Sequence, residues 1–74
     1  MLKVILILKF KNSELKTVVF EEVSDLYIDY AANKLSLIDV PTGLEYNYHF
    51  RPTGKEREQE ATEILSVEII KKEE

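Results

Sequence analysis

Three side chains of this sequence, Asp29, Ser36 and His49, are of the types that a hydrolase uses, and His49 is the only histidine. Pairing of the predicted strands places them in one row across the sheet, with Ser36 in the middle. Neighbouring strands lie about 4.8 Å apart, so Asp29 and His49 would be two spacings apart. A catalytic triad needs the histidine between the serine and the acid. The row therefore predicts a polar surface, and we expect a protein that is not an enzyme.

Patterns typical of metal or phosphate sites are missing from the sequence. The chain has no cysteine, and its acids lack the spacing of a calcium loop, which gathers several oxygen ligands around a glycine. Thr42-Gly43 and Thr53-Gly54 are isolated pairs that mark turns, because a phosphate loop is richer in glycine and leads from a strand into a helix. We expect neither a metal nor another cofactor.

The length of 74 residues predicts one small domain, covering residues 1–74. The hydrophobic core of a chain this short typically supplies about 3–5 kcal/mol, and no disulfide can add to it. Self-association is a further way to bury apolar surface. The apolar run at the start is too short to cross a membrane and lacks a cleavage site for a signal peptide, so we expect a cytoplasmic protein.

The opening stretch is the most apolar of the chain, and residues 2–10 and 15–23 both predict strands. Pairing Lys11 with Glu14 makes a hairpin whose two faces are both apolar at the centre. One face carries Val4, Leu6, Leu8, Phe10, Leu15 and Val19. The other carries Ile5, Ile7, Val18 and Phe20, with Lys3 opposite Glu22 and Lys9 opposite Lys16 around them. A sheet with two apolar faces needs a cover on each.

Three further strands are predicted at residues 26–30, 35–40 and 45–50, after a polar break at Ser24-Asp25. Asn33 and Pro41-Thr42-Gly43 mark the turns between them. Four-residue turns divide these strands into an apolar and a polar face. The apolar face would carry Leu26, Ile28, Tyr30, Leu35, Leu37, Tyr46, Tyr48 and Phe50. The polar face would carry Tyr27, Asp29, Ser36, Ile38, Asn47 and His49.

The end of the chain is ambiguous. Residues 55–60 form a charged run that predicts a surface loop, and residues 62–71 alternate in a way that favours a last strand. We therefore predict an all-β fold, a five- or six-stranded antiparallel meander that forms a small barrel or roll. The alternative is an α+β fold with a helix at about residues 55–70 packed on the sheet.

These features favour a non-enzymatic interaction module that self-associates through the two-sided hairpin. The predicted contact residues are Ile5, Ile7, Val18 and Phe20, with Lys3, Lys9, Lys16 and Glu22 at the rim. One alternative is an acidic inhibitor or adaptor of bacterial or phage type, a mimic of nucleic acid that binds a basic protein, because residues 21–50 hold six acids and one lysine. Another is an OB-like barrel that binds nucleic acid, although its tyrosines lie in that acidic section, where a basic surface would be needed.

Overall fold

The computed structural model describes residues 1–10, 12–50 and 63–72. Five antiparallel strands form one sheet there: β1 (Leu2–Lys9), β2 (Leu15–Asp29), β3 (Lys34–Asp39), β4 (Leu44–His49) and β5 (Glu63–Lys71). Their order across the sheet is β4-β3-β2-β1-β5. The first four strands are a meander, and β5 returns to pair with β1.

The predicted all-β antiparallel fold is confirmed. Within the described residues there is no helix, so the alternative helix is wrong for residues 63–70, which belong to β5. Its remaining part, and the charged run at 55–60, lie outside the described residues. Closure into a barrel or roll is not confirmed, because β4 and β5 share no hydrogen-bonded ladder, although some of their Cα atoms come within 8 Å.

The long strand β2 holds the sheet together because two different strands pair with its two ends. Its first part pairs with β1 as far as Val23, and the rest pairs with β3 from Val23 onward. The ladder shifts at Glu21-Glu22 and again at Asp25-Leu26, and Asp25 has a left-handed φ of 50°. Such bulges bend a strand and increase its twist. The polar break predicted at Ser24-Asp25 is therefore wrong, since β2 runs through it.

The core lies between the two halves that β2 joins. Side chains from β1, β2 and β5 meet side chains from β3 there, and apolar burial of this kind contributes about 1.5–3 kcal/mol for each large side chain. The buried apolar residues are Val4, Leu6, Leu8, Phe20, Val23, Leu35, Leu37 and Ile64. The apolar face predicted for the meander packs in or against this core, apart from Tyr30, which is 84% exposed.

The turns β2–β3 and β3–β4 are built alike, each with four residues between an aspartate and the next strand. The Asp29 carboxylate accepts hydrogen bonds from two backbone N–H groups in its turn, both at 3.1 Å. The Asp39 carboxylate accepts one from the Thr42 hydroxyl at 2.7 Å. The last turn residues, Asn33 and Gly43, have φ values of 53° and 71°. Both are residue types that adopt this left-handed conformation at low cost.

Replacing Gly43 by alanine should destabilise the protein through backbone conformation alone. A Cβ at this position would meet no atom within 4 Å, so the penalty is the cost of a left-handed L-residue, about 1–2 kcal/mol. Gly43→Asn is the matched control and should cost less. Urea unfolding followed by circular dichroism measures both, and equal stabilities for the alanine variant and the wild type would contradict the expectation.

Candidate interaction surface

The β1–β2 hairpin has a different register from the predicted one. The Phe10 N–H donates to the Glu14 carbonyl at 2.8 Å, so three residues rather than two separate the paired positions. Ser13, the last of them, has a left-handed φ of 69°, as three-residue hairpin loops require. Lys11, the predicted partner of Glu14, lies outside the described residues.

The one-residue difference in register exchanges the faces of β2. Val18 lies opposite Leu6, and Phe20 lies opposite Val4. Phe20 is only 7% exposed and belongs to the core, and Val18 packs against the core from the same side. Their predicted place on one face with Ile5 and Ile7 is therefore wrong.

The side of the β2–β1–β5 half that faces away from the core is named the outer face here. Ile5 lies opposite Val19, and Ile7 lies opposite Thr17. Both isoleucines are half-buried, whereas Val19 is 46% exposed. The face consists of Lys3, Ile5, Ile7 and Lys9 from β1, Leu15, Thr17, Val19 and Glu21 from β2, and Glu63, Ser66, Glu68 and Ile70 from β5.

Charged residues border the outer face at the end near the bulge. Lys3 Nζ lies 3.5 Å from Glu21 Oε1, and Lys72 Nζ lies 3.7 Å from Glu21 Oε2. Lys72 also donates to the Glu21 backbone carbonyl at 3.2 Å. Since Glu21 is largely exposed and both lysines are partly exposed, each ion pair contributes at most about 1 kcal/mol. The predicted partner of Lys3 was Glu22, and the bulge puts Glu21 in its place.

The other two predicted rim residues do not face each other. Lys9 lies opposite Leu15, and Lys16 lies opposite Leu8. The unfavourable lysine pair of the predicted register is therefore not formed. Lys9 stays on the outer face, while Lys16 moves with Val18 to the side of the core, where it remains exposed.

The row of Asp29, Ser36 and His49 does not exist in the predicted form. Both meander turns begin one residue earlier than predicted, which shifts each register by two residues and keeps every side chain on its predicted face. Ser36 lies between Tyr27 and Asn47, and its hydroxyl is 2.6 Å from the Asn47 side-chain oxygen. Lys34 lies between Asp29 and His49 in the neighbouring row.

The acids of the middle section take part in local structure. Asp29 and Asp39 accept the hydrogen bonds of the two turns, and Glu21 binds Lys3 and Lys72. Among the described residues, no group of three or more histidine, cysteine or acidic side chains could hold a metal ion. The turn contacts of Asp29 and Asp39 were not evident from composition, although aspartate before a turn is a known local signal.

Aromatic rings line the core on the side of β4. The Phe20 and Tyr46 ring centroids are 5.1 Å apart, and Tyr46 and Tyr48 are stacked with centroids 6.4 Å apart. Burial raises the pKa of the Tyr48 phenol above its usual 10.0, and the neighbouring Tyr46 adds to the rise. The folded state therefore favours the neutral phenol.

The stability of the protein should depend on Tyr48 at alkaline pH. The contribution is complete below pH 10.0 and is lost as the pH rises through the higher folded-state pKa. Tyr48→Phe removes this titration, so its stability should fall less steeply above about pH 10. Urea unfolding across a pH series measures the slopes, and identical slopes for both proteins would contradict the expectation.

The hairpin register can be tested with two neighbouring substitutions. Phe20→Ala should cost about 3–5 kcal/mol, comparable with the whole stability of so small a domain, and should leave little folded protein. Val19→Ala removes a smaller apolar surface, which is also more exposed to solvent, and should cost under about 1 kcal/mol. Thermal unfolding by circular dichroism separates them, and the opposite order would restore the predicted register.

Comparisons with protein-family models, with curated proteins and with solved structures found no significant match. In the part of the chain that the structure describes, no helix is long and apolar enough to span a membrane.

Proposed function

We propose that the protein is a non-enzymatic interaction module that associates with a second copy through the outer face of its first hairpin. The observation that carries the proposal is the group of apolar side chains on this face. Leu15 and Val19 are 63% and 46% exposed and extend the half-buried pair Ile5 and Ile7 toward the edge of the sheet. Apolar groups gathered on one exposed face are typical of contact surfaces.

The charges around the outer face suit contact with an identical surface. Lys3 and Lys9 lie at the two ends of the β1 part, and Glu21 and Glu68 lie on the strands at either side. A two-fold interface brings the same patch of both subunits together, so a patch needs both signs of charge to complement itself. The outer face meets this requirement, whereas a face of one charge would repel its copy.

The alternative functions receive less support from the geometry. Glu21 already pairs with Lys3 and Lys72, and Asp29 and Asp39 accept hydrogen bonds within their turns. These three carboxylates are therefore engaged in local structure and less available to a basic partner.

For nucleic-acid binding, the Tyr46 and Tyr48 rings are not available because they pack against the core. The exposed rings of Tyr27 and Tyr30 lie in the acidic section, where a basic surface would be needed. Self-association is therefore the function that the geometry of the outer face supports best.

The proposal is tested by placing a negative charge at an exposed apolar position, either on the outer face or away from it. Val19→Glu should remove self-association, because burial of an unpaired carboxylate is costly. Tyr27→Glu is the matched control: its ring is 64% exposed on the polar face of the meander, and its replacement should change nothing. Sedimentation equilibrium across a concentration series measures the mass of each protein.

The wild-type mass should rise with concentration, the Val19→Glu protein should stay monomeric, and the control should follow the wild type. A wild type that remains monomeric at the highest concentration would overturn the proposal. Equal loss of association in both variants would also overturn it, since the effect would then be one of net charge.

A further inference from the structure

Of the described strands, only β1 lies beside the first part of β2. β1 pairs with it as far as Val23, and β3 begins to pair at Val23 on the opposite edge. The bond from the Val40 N–H to the Glu22 carbonyl extends the β3 side by one residue. Among the described residues, no strand pairs with this second edge of β2 between Leu15 and Phe20.

The backbone groups that point out of this edge can be identified from one hydrogen bond. The Glu14 carbonyl accepts from Phe10 and so points toward β1. In an antiparallel ladder successive residues point to alternate sides. Leu15, Thr17 and Val19 therefore direct their N–H and C=O groups away from β1, and their side chains lie on the outer face.

The sequence of this edge does little to prevent pairing with another strand. Proteins protect edges with proline, bulges or inward-pointing charges. Both bulges of β2 lie beyond Phe20, and the edge contains no proline. Thr17, Val18, Val19 and Phe20 are all residues that favour strands. Lys16 is the one charged side chain between Leu15 and Phe20.

We propose that two copies associate by pairing these edges antiparallel about a two-fold axis, with Thr17 opposite the partner's Thr17 and Leu15 opposite the partner's Val19. This inference rests on the proposed self-association and specifies its geometry. Leu15, Thr17 and Val19 each exchange both backbone hydrogen bonds with the partner strand. Threonine pairs and apolar pairs are favourable across strands. The two outer faces then continue into each other across the axis.

The register follows from the residues on either side of it. A slip of one residue would place the outer face of one subunit beside the core side of the other. The registers that keep both outer faces on one side therefore differ by two residues. One alternative places Lys16 opposite the partner's Lys16, which is unfavourable. The other places Leu15 opposite the partner's Glu21, a carboxylate already bound to Lys3 and Lys72. The proposed register has no like charges directly opposite and uses the whole open edge.

Proline at position 17 tests the edge without breaking the hairpin. The Thr17 N–H points away from β1, so Thr17→Pro removes a donor that the β1–β2 ladder does not use, and proline is tolerated at such positions. Thr17→Val is the matched control, because it changes the same side chain, keeps a β-branched residue and retains the backbone N–H. With sedimentation equilibrium, Thr17→Pro should be monomeric and Thr17→Val should still associate. Association of Thr17→Pro at the wild-type level would mean that the outer faces stack on each other and would overturn the edge model.

A disulfide reports the register directly, since the chain has no cysteine of its own. Residues opposite each other in a hydrogen-bonded pair have Cα atoms about 5.5 Å apart, within the range of a disulfide. Thr17→Cys should give a covalent dimer under mild oxidation, and the exposed turn variant Tyr30→Cys should give much less. Equal crosslinking of the two variants would overturn the register.

Amide exchange separates the failure of this inference from the failure of the proposed function. If the edges pair, the Thr17 and Val19 amides become protected as concentration rises, because the partner strand then accepts their hydrogen bonds. Association without that protection would overturn the edge pairing and leave self-association standing. A protein that stays monomeric at every concentration would overturn both.

Discussion

The fold depends on one strand serving two halves of the sheet. β2 pairs with β1 before Val23 and with β3 after it, and the bulges at Glu21-Glu22 and Asp25 turn the strand between them. Without this bend, the apolar sides of the two halves could not face each other. The core of a chain this short is small, so the bend decides whether enough surface is buried to fold. The bend also determines which apolar residues remain outside the core.

The same arrangement accounts for the open edge along the first part of β2. Since β3 pairs only with the second part of β2, the first part keeps one side on which none of the described strands pairs. In a regular five-stranded meander a central strand would be covered along both sides. The exposure of Leu15 and Val19 is thus a consequence of how the core is built, and the bend creates both the buried and the unpaired surface.

The predicted strands were largely correct. Whether their faces were also predicted correctly depended on whether the error in register was an even or an odd number of residues. Side chains alternate between faces along a strand, so a register error of two residues leaves each on its face. The meander prediction had that error and still identified the apolar face. The predicted hairpin register was off by one residue. Phe20 therefore lies in the core and Val19 on the outer face, the reverse of the predicted arrangement. The loop that decides it contains Asn12 and Ser13, neither of which is a strong signal for a two- or three-residue turn.

The amino-acid sequence by itself determined that the chain is a small all-β domain, because β-branched and aromatic residues in short runs favour strands whatever their neighbours. It also determined the turns at Asn33 and Gly43, since few residues adopt a left-handed backbone at low cost. Tertiary structure alone decided the hairpin register, the bend of β2 at Asp25 and the surface left uncovered. Those features depend on which side chains fit together in the core, and that fit is a property of the packed strands and not of any local stretch.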